Sequence, residues 1–141
     1  MSIWEKAVAD AMSPGLISVA QTASLAEAAR VMETRRVTGL PVMDASGCLA
    51  GMISQTDLIR VRASQQLSHS WTGLPVSEIM SRPALTVTAT ASLGEAARLM
   101  REKHVHRLVV VNDESLPIGI LSSSDLVKVL ADAAADDLSE R

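Results

Sequence analysis

"TASLAEAARVM", Thr22 to Met32, is written again as "TASLGEAARLM", Thr90 to Met100. Nine of the eleven letters agree, and each residue stands 68 positions after its counterpart. The same interval, without a gap, pairs Met12 with Met80, Val37 with Val105, Leu40 with Leu108, Gly51 with Gly119, Ser54 with Ser122 and Asp57 with Asp125. Agreement over such a span marks an internal duplication, and a chain written twice is expected to fold as two copies of one unit.

Outward from the quoted segment, both copies read alike. Ser24 with Glu27, and Ser92 with Glu95, form the S-x-x-E capping box that opens a helix. The apolar stripe Leu25, Ala28, Ala29, Met32 is matched by Leu93, Ala96, Ala97, Met100. Short β-branched segments precede each helix, at Leu16 to Val19 and Leu85 to Val87. Two apolar runs follow it, "LPVMD" and "LAGMIS" in one copy, "LVVVND" and "PIGILS" in the other, joined by the turn residues 44–47 and 112–115. A second helix starts near Gln55 and near Ser123.

The class is therefore α/β, with the order β-α-β-β-α twice. One such unit leaves an apolar sheet face uncovered, so the two are expected to pack sheet to sheet with pseudo-two-fold symmetry, leaving two equivalent clefts. The chain divides into an N-terminal helix plus the first motif over 1–66, a linker over 67–75, and the second motif with an acidic tail over 76–141. Within the polar stretch "SQQLSHSWTGLP", Trp71 is expected to pack where the halves meet.

Composition excludes several classes. The 141 residues carry a formal charge of −3, and Trp4 and Trp71 are the only aromatic residues, so neither a basic footprint nor stacking platforms for nucleic acid are present. The core must be built from Val, Leu, Ile, Ala and Met. Cys48 is the single cysteine, which fits a reducing, cytoplasmic setting. Glu5, Lys6 and Asp10 interrupt "MSIWEKAVADAM", so the start is neither a signal peptide nor a membrane span. Ile3, Trp4, Ala7, Val8 and Ala11 instead predict an amphipathic helix.

Two further boxes, Ser54/Asp57 and Ser122/Asp125, differ from the plain caps at Ser24 and Ser92. Each follows a glycine-containing strand, "GMISQTD" or "GILSSSD", uses Asp in place of Glu, and adds a hydroxyl at Thr56 or Ser124. A helix N-terminus with free amides and hydroxyls suits a phosphate, and a short fixed carboxylate can accept both hydroxyls of a ribose. Together they meet the needs of a nucleotide.

The repeat resembles the cystathionine-β-synthase (CBS) domain, and residues 8 to 131 resemble a stand-alone CBS pair. The matching signatures are "AMSPGLISV" and "IMSRPALTV", "VTGLPVMDASGCLAGMIS" and "VHRLVVVNDESLPIGILS", and "SQTDL" and "SSSDL". The resemblance implies a non-enzymatic sensor that binds an adenine nucleotide (AMP, ADP or ATP), S-adenosylmethionine or NAD in its clefts. It also implies a homodimer and a regulated protein partner. It assigns the ribose to Asp57 and Asp125, and phosphate or ribose contacts to Ser54, Thr56, Ser122 and Ser124. The main chain of the opposite repeat's strand would face the base, which groups Ser122, Ser124 and Asp125 with Val37, Thr38 and Gly39. Ser54, Thr56 and Asp57 are likewise grouped with Val105, His106 and Arg107.

"HVHRLVVV" is similar to the phosphate-binding His-Arg segments in the γ subunit of AMP-activated protein kinase, whereas Thr38 and Gly39 stand at the corresponding places of the first copy. Unequal clefts are therefore expected. Val109 replaces the proline found at Pro41. His104 and His106 lack a third ligand for a metal, and Ser122, His106 and Asp125 lack the nucleophile-elbow pattern of a hydrolase. Arg35, Arg36 and Lys103 suit helix C-termini. Met12, Met32, Met80 and Met100 read as core, and "ADAAADDLSE" as a fraying helix end. The alternative to a sensor is an interaction module whose clefts are empty.

Overall fold

The computed structural model describes residues 2–63 and 71–139. Its strands and helices run in the order β1 (Ser13–Pro14), β2 (Val19–Ala20), α1 (Leu25–Arg35), β3 (Gly39–Met43), β4 (Leu49–Ser54), α2 (Gln55–Ala63), β5 (Thr86–Thr88), α3 (Leu93–Lys103), β6 (Arg107–Val111), β7 (Pro117–Ser122) and α4 (Ser123–Ser139). The β-α-β-β-α order of each copy is the one the sequence predicts.

The chain forms two compact units, Ile17–Ala84 and Met1–Leu16 with Leu85–Arg141. In the first, β2 pairs parallel with β3, and β3 antiparallel with β4, giving a three-stranded sheet. Leu25, Leu40, Val42, Ile53 and Val76 are wholly buried in its core, with Met32 and Met80 beside them. In the second, β5 pairs parallel with β6, β6 antiparallel with β7, and β1 antiparallel with β7. Leu93, Leu108, Val110, Leu121 and Val8 are its buried core. Burial of this aliphatic set is what holds each unit together, at roughly 1.5–3 kcal/mol per large side chain.

In each unit the stretch leading into one repeat packs with the other repeat. Val8 donates its N–H to Ala91 O at 2.8 Å, and Leu93 N–H reaches Lys6 O at 2.8 Å. The counterparts do the same: Val76 N–H reaches Ala23 O at 2.8 Å, and Leu25 N–H reaches Leu74 O at 2.9 Å. Ser13 pairs with Ile120, and Ser81 with Met52.

That exchange also corrects the expected N-terminal helix. Ile3–Glu5 and Val8–Asp10 are two short 3-10 turns, since Lys6, Val8 and Ala9 commit their backbone groups to residues 89–93 and an α-helix would need the same groups internally. Trp71, at the start of the turn Trp71–Gly73, packs against the core of the Ile17–Ala84 unit. The acidic tail does not fray within the described residues. Its alanines carry the highest helix propensity, and α4 continues unbroken to Ser139 against the Ile3–Glu5 turn.

Candidate functional site

Both second helices start where an antiparallel strand pair ends. The register sets Gly39 opposite Ser54 on β3 and β4, and Arg107 opposite Ser122 on β6 and β7. Gln55 N–H, the first amide of α2, donates to Thr38 O at 2.9 Å, and Ser123 N–H, the first of α4, donates to His106 O at 2.8 Å. The residue just before each strand is thus tied to the first residue of the helix.

The Ser-x-x-Asp elements close on themselves with one geometry. Ser54 N–H and the Ser54 hydroxyl donate to Asp57 Oδ2 at 2.8 and 3.0 Å, while Asp57 N–H donates to Ser54 Oγ at 3.3 Å. Ser122 and Asp125 repeat these bonds at 2.8, 3.0 and 3.3 Å. A carboxylate that accepts two bonds while its own amide makes a third is rigid, and each Asp uses Oδ2 alone, so Oδ1 takes no hydrogen bond among the described residues. Ser54, Ser122, Asp57 and Asp125 are half-buried, and Thr56 and Ser124 are exposed.

These bonds already use part of the amide cluster at each helix start. At each helix start three amides, those of Ser54, Gln55 and Asp57 or of Ser122, Ser123 and Asp125, already have protein partners. The hydroxyls add further polar groups to each element. Because Ser122 gives its proton to Asp125, the 2.8 Å contact between Ser122 Oγ and Ser124 Oγ has Ser124 as the donor. Ser123, which sequence reasoning passed over, donates its hydroxyl to His106 O at 3.3 Å. The run of three serines was its only signal. The three serines differ in role, since Ser122 closes the box, Ser123 braces the strand entry and Ser124 extends the network to the surface.

Within each unit the structure brings Thr38 and Gly39 beside Ser54, and His106 and Arg107 beside Ser122; Val37 and Val105 precede them, half-buried against the cores. Within each repeat the hydrogen bonds tie the Ser-x-x-Asp element to the strand of its own repeat. His106 is exposed and Arg107 half-buried. His104 is the left-handed C-cap of α3, with φ 55°, as Arg36 is of α1, with φ 57°. No group of three His, Cys, Asp or Glu side chains gathers for a metal among the described residues. Nor is any described helix long and apolar enough to cross a membrane. A hollow of about 410 Å³ lined by Ile3, Lys6, Asp10 and Asp132 lies along α4, away from every candidate residue.

The sequence profile of the CBS domain matches residues 8–64 and again 76–132. Among curated proteins, the γ-3 subunit of 5′-AMP-activated protein kinase from Bos taurus is 32% identical over 131 residues, covering 87% of this chain and 26% of that subunit. The chain spans about a quarter or less of the first such relatives. Among solved structures, the CBS domain pair of protein MJ0100, in complex with 5′-methylthioadenosine and S-adenosyl-L-methionine, superposes with TM-score 0.81 at 25% identity, over 91% of this chain and 98% of that one. CBSX2 in complex with AMP superposes with TM-score 0.76 at 32% identity, with the same coverage.

Proposed function

Because this chain belongs to the CBS domain family, we propose that it is a non-catalytic regulatory module that binds an adenosyl ligand at its two Ser-x-x-Asp elements. The observation that carries the reading is the identical boxed carboxylate at Asp57 and Asp125, fixed through Oδ2 with Oδ1 left over. A carboxylate fixed in this way can accept the 2′ and 3′ hydroxyls of a ribose without first losing side-chain freedom. The resemblance to an AMP complex and to a 5′-methylthioadenosine and S-adenosylmethionine complex supports the adenosyl class.

In this reading Asp57 and Asp125 hold ribose, Ser54, Thr56, Ser122 and Ser124 supply hydroxyls, and the strand entries Val37, Thr38, Gly39 and Val105, His106, Arg107 flank them. Binding favours one packing arrangement over another, and the module passes that bias to a second copy of itself or to a regulated protein; a ligand with equal affinity for both arrangements would shift nothing. Ile59 and Val127, 66% and 62% exposed at equivalent positions of α2 and α4, support a homodimer. Calorimetric titration with AMP, ADP, ATP, S-adenosylmethionine and NAD tests the function. Saturable heat from at least one is expected; silence from all five at millimolar concentration defeats it.

A further inference from the structure

Two methionines hold the same place in the two repeats. Met12 and Met80 stand 68 positions apart, each just before the serine that crosses the last strand of the other repeat. A Cβ built on Gly119 would lie 3.3 Å from Met12 Sδ, and one built on Gly51 would lie 2.9 Å from Met80 Sδ, so each thioether is laid across the bare glycine of that strand. We propose that Met12 is an oxidation-sensitive latch: conversion of its thioether to the sulfoxide by a hydroperoxide releases the leading stretch from the second repeat and loosens the Ser122/Asp125 element beyond it. The release rests on the packing alone; its effect on a ligand rests on the adenosyl reading above.

In the step, a sulfur lone pair takes the terminal oxygen of the hydroperoxide, the O–O bond breaks, and the proton passes to the departing oxygen, so that thioether and hydroperoxide become sulfoxide and alcohol, or water where the oxidant is hydrogen peroxide. The product is polar where a soft, apolar group had filled the space over Gly119. Its oxygen is a hydrogen-bond acceptor, and Ser13 O, which lies against the same glycine, is an acceptor as well. Oxidation therefore adds both bulk and repulsion at the tightest point of the crossing.

Accessibility and anchoring single out Met12. It is half-buried, whereas Met80 is 9% exposed and Met32 and Met100 are 6% exposed. The crossing beside Met80 is tied by two backbone bonds, Ser81 N–H to Met52 O at 2.8 Å and Met52 N–H to Ser81 O at 3.0 Å. In the crossing beside Met12, Pro14 stands opposite Gly119 and has no N–H to give. Beyond Gly119, β7 runs on to Ser122, whose N–H and hydroxyl fix Asp125. Met43 and Met52 are also half-buried, but both lie in the Ile17–Ala84 unit.

The full chain carrying Cys48→Ser, which leaves no thiol to react, is treated with hydrogen peroxide, mapped by mass spectrometry and followed by amide hydrogen exchange, alongside the same chain with Met12→Leu added. Met12 should gain one oxygen about tenfold faster than Met80. Exchange at Val8 and Ala9, whose amides are bonded to Ala91 and Ala89, should then quicken by about tenfold, while Leu25 and Val76 keep their rates. Met12→Leu should abolish the change, and a methionine sulfoxide reductase with a thiol should reverse it. AMP should bind several-fold more weakly to the oxidised protein, and equally well to Met12→Leu before and after peroxide. Met12 that resists peroxide until the protein unfolds, exchange or AMP affinity that is unchanged once Met12 is oxidised, or an equal response from Met12→Leu would overturn the latch. Absence of AMP binding before oxidation tells against the adenosyl reading alone, while exchange still decides the latch.

Discussion

A Cβ placed on Gly119 would sit 2.6 Å from the carbonyl oxygen of Ser13, and one placed on Gly51 would sit 2.6 Å from that of Ser81. In each unit the leading stretch of the other repeat crosses the last strand at the one residue without a side chain. Gly51→Ala and Gly119→Ala should each push that crossing segment away and cost about 1–3 kcal/mol, read as a lowered urea midpoint. Unchanged midpoints would mean that the crossing is not held in solution.

The exchange of leading segments also sets what can fold alone. Residues 17–84 contain a complete core that includes Val76 and Met80, whereas residues 8–64 lack both. A peptide of residues 17–84 should unfold cooperatively on heating, and one of residues 8–64 should show no transition by circular dichroism. Equal behaviour of the two would contradict the assignment of Val76 to the first repeat's core.

The two kinds of cap separate fold from function. Ser24 and Ser92 each accept one N–H, from Glu27 and Glu95 at 3.1 Å. Replacing either by Ala should cost about 1 kcal/mol and leave ligand affinity unchanged. Ser54→Ala and Ser122→Ala remove two of the three bonds in each box. They should lower stability by a similar amount and also weaken adenosyl binding several-fold, because the carboxylate of Asp57 or Asp125 is then held by a single bond. Calorimetry alongside thermal melts reads both quantities.

The β6–β7 turn carries a correctable strain. Ser115 adopts φ 64°, while its counterpart Gly47 adopts φ 82°. A left-handed conformation costs an ordinary residue about 1–2 kcal/mol, partly offset by the greater entropy glycine loses on folding. Ser115→Gly should therefore raise stability by about 0.5–1 kcal/mol, and a lower melting temperature would count against the geometry.

Much of this was legible in the letters. The 68-residue interval, the serine caps at Ser24 and Ser92, and the starts of α2 and α4 at Gln55 and Ser123 follow from spacing, because local hydrogen bonding and apolar period determine them. The stretch from Ile3 to Ala11 was not legible as 3-10 turns, since its apolar spacing fits a helix and only the distant carbonyls of Ala89 and Ala91 divert its amides. Which copy each leading stretch covers was equally hidden: Val8 and Val76 are the same residue type in the same register, so either repeat would accommodate either one. At the candidate site, spacing found Asp57 and Asp125, but not that Ser123 braces His106 or that the first amides of each helix are already paired.

Synthesis from the N-terminus makes the residues around Val8 long before Leu93 and Leu121, the neighbours that enclose it. The stretch Ile17–Ala84 is whole as soon as its last residue leaves the ribosome, and chain regions generally acquire structure in the order they emerge. Nascent chains should thus carry one finished half and a bare leading stretch that waits for residues 85–141 to be translated.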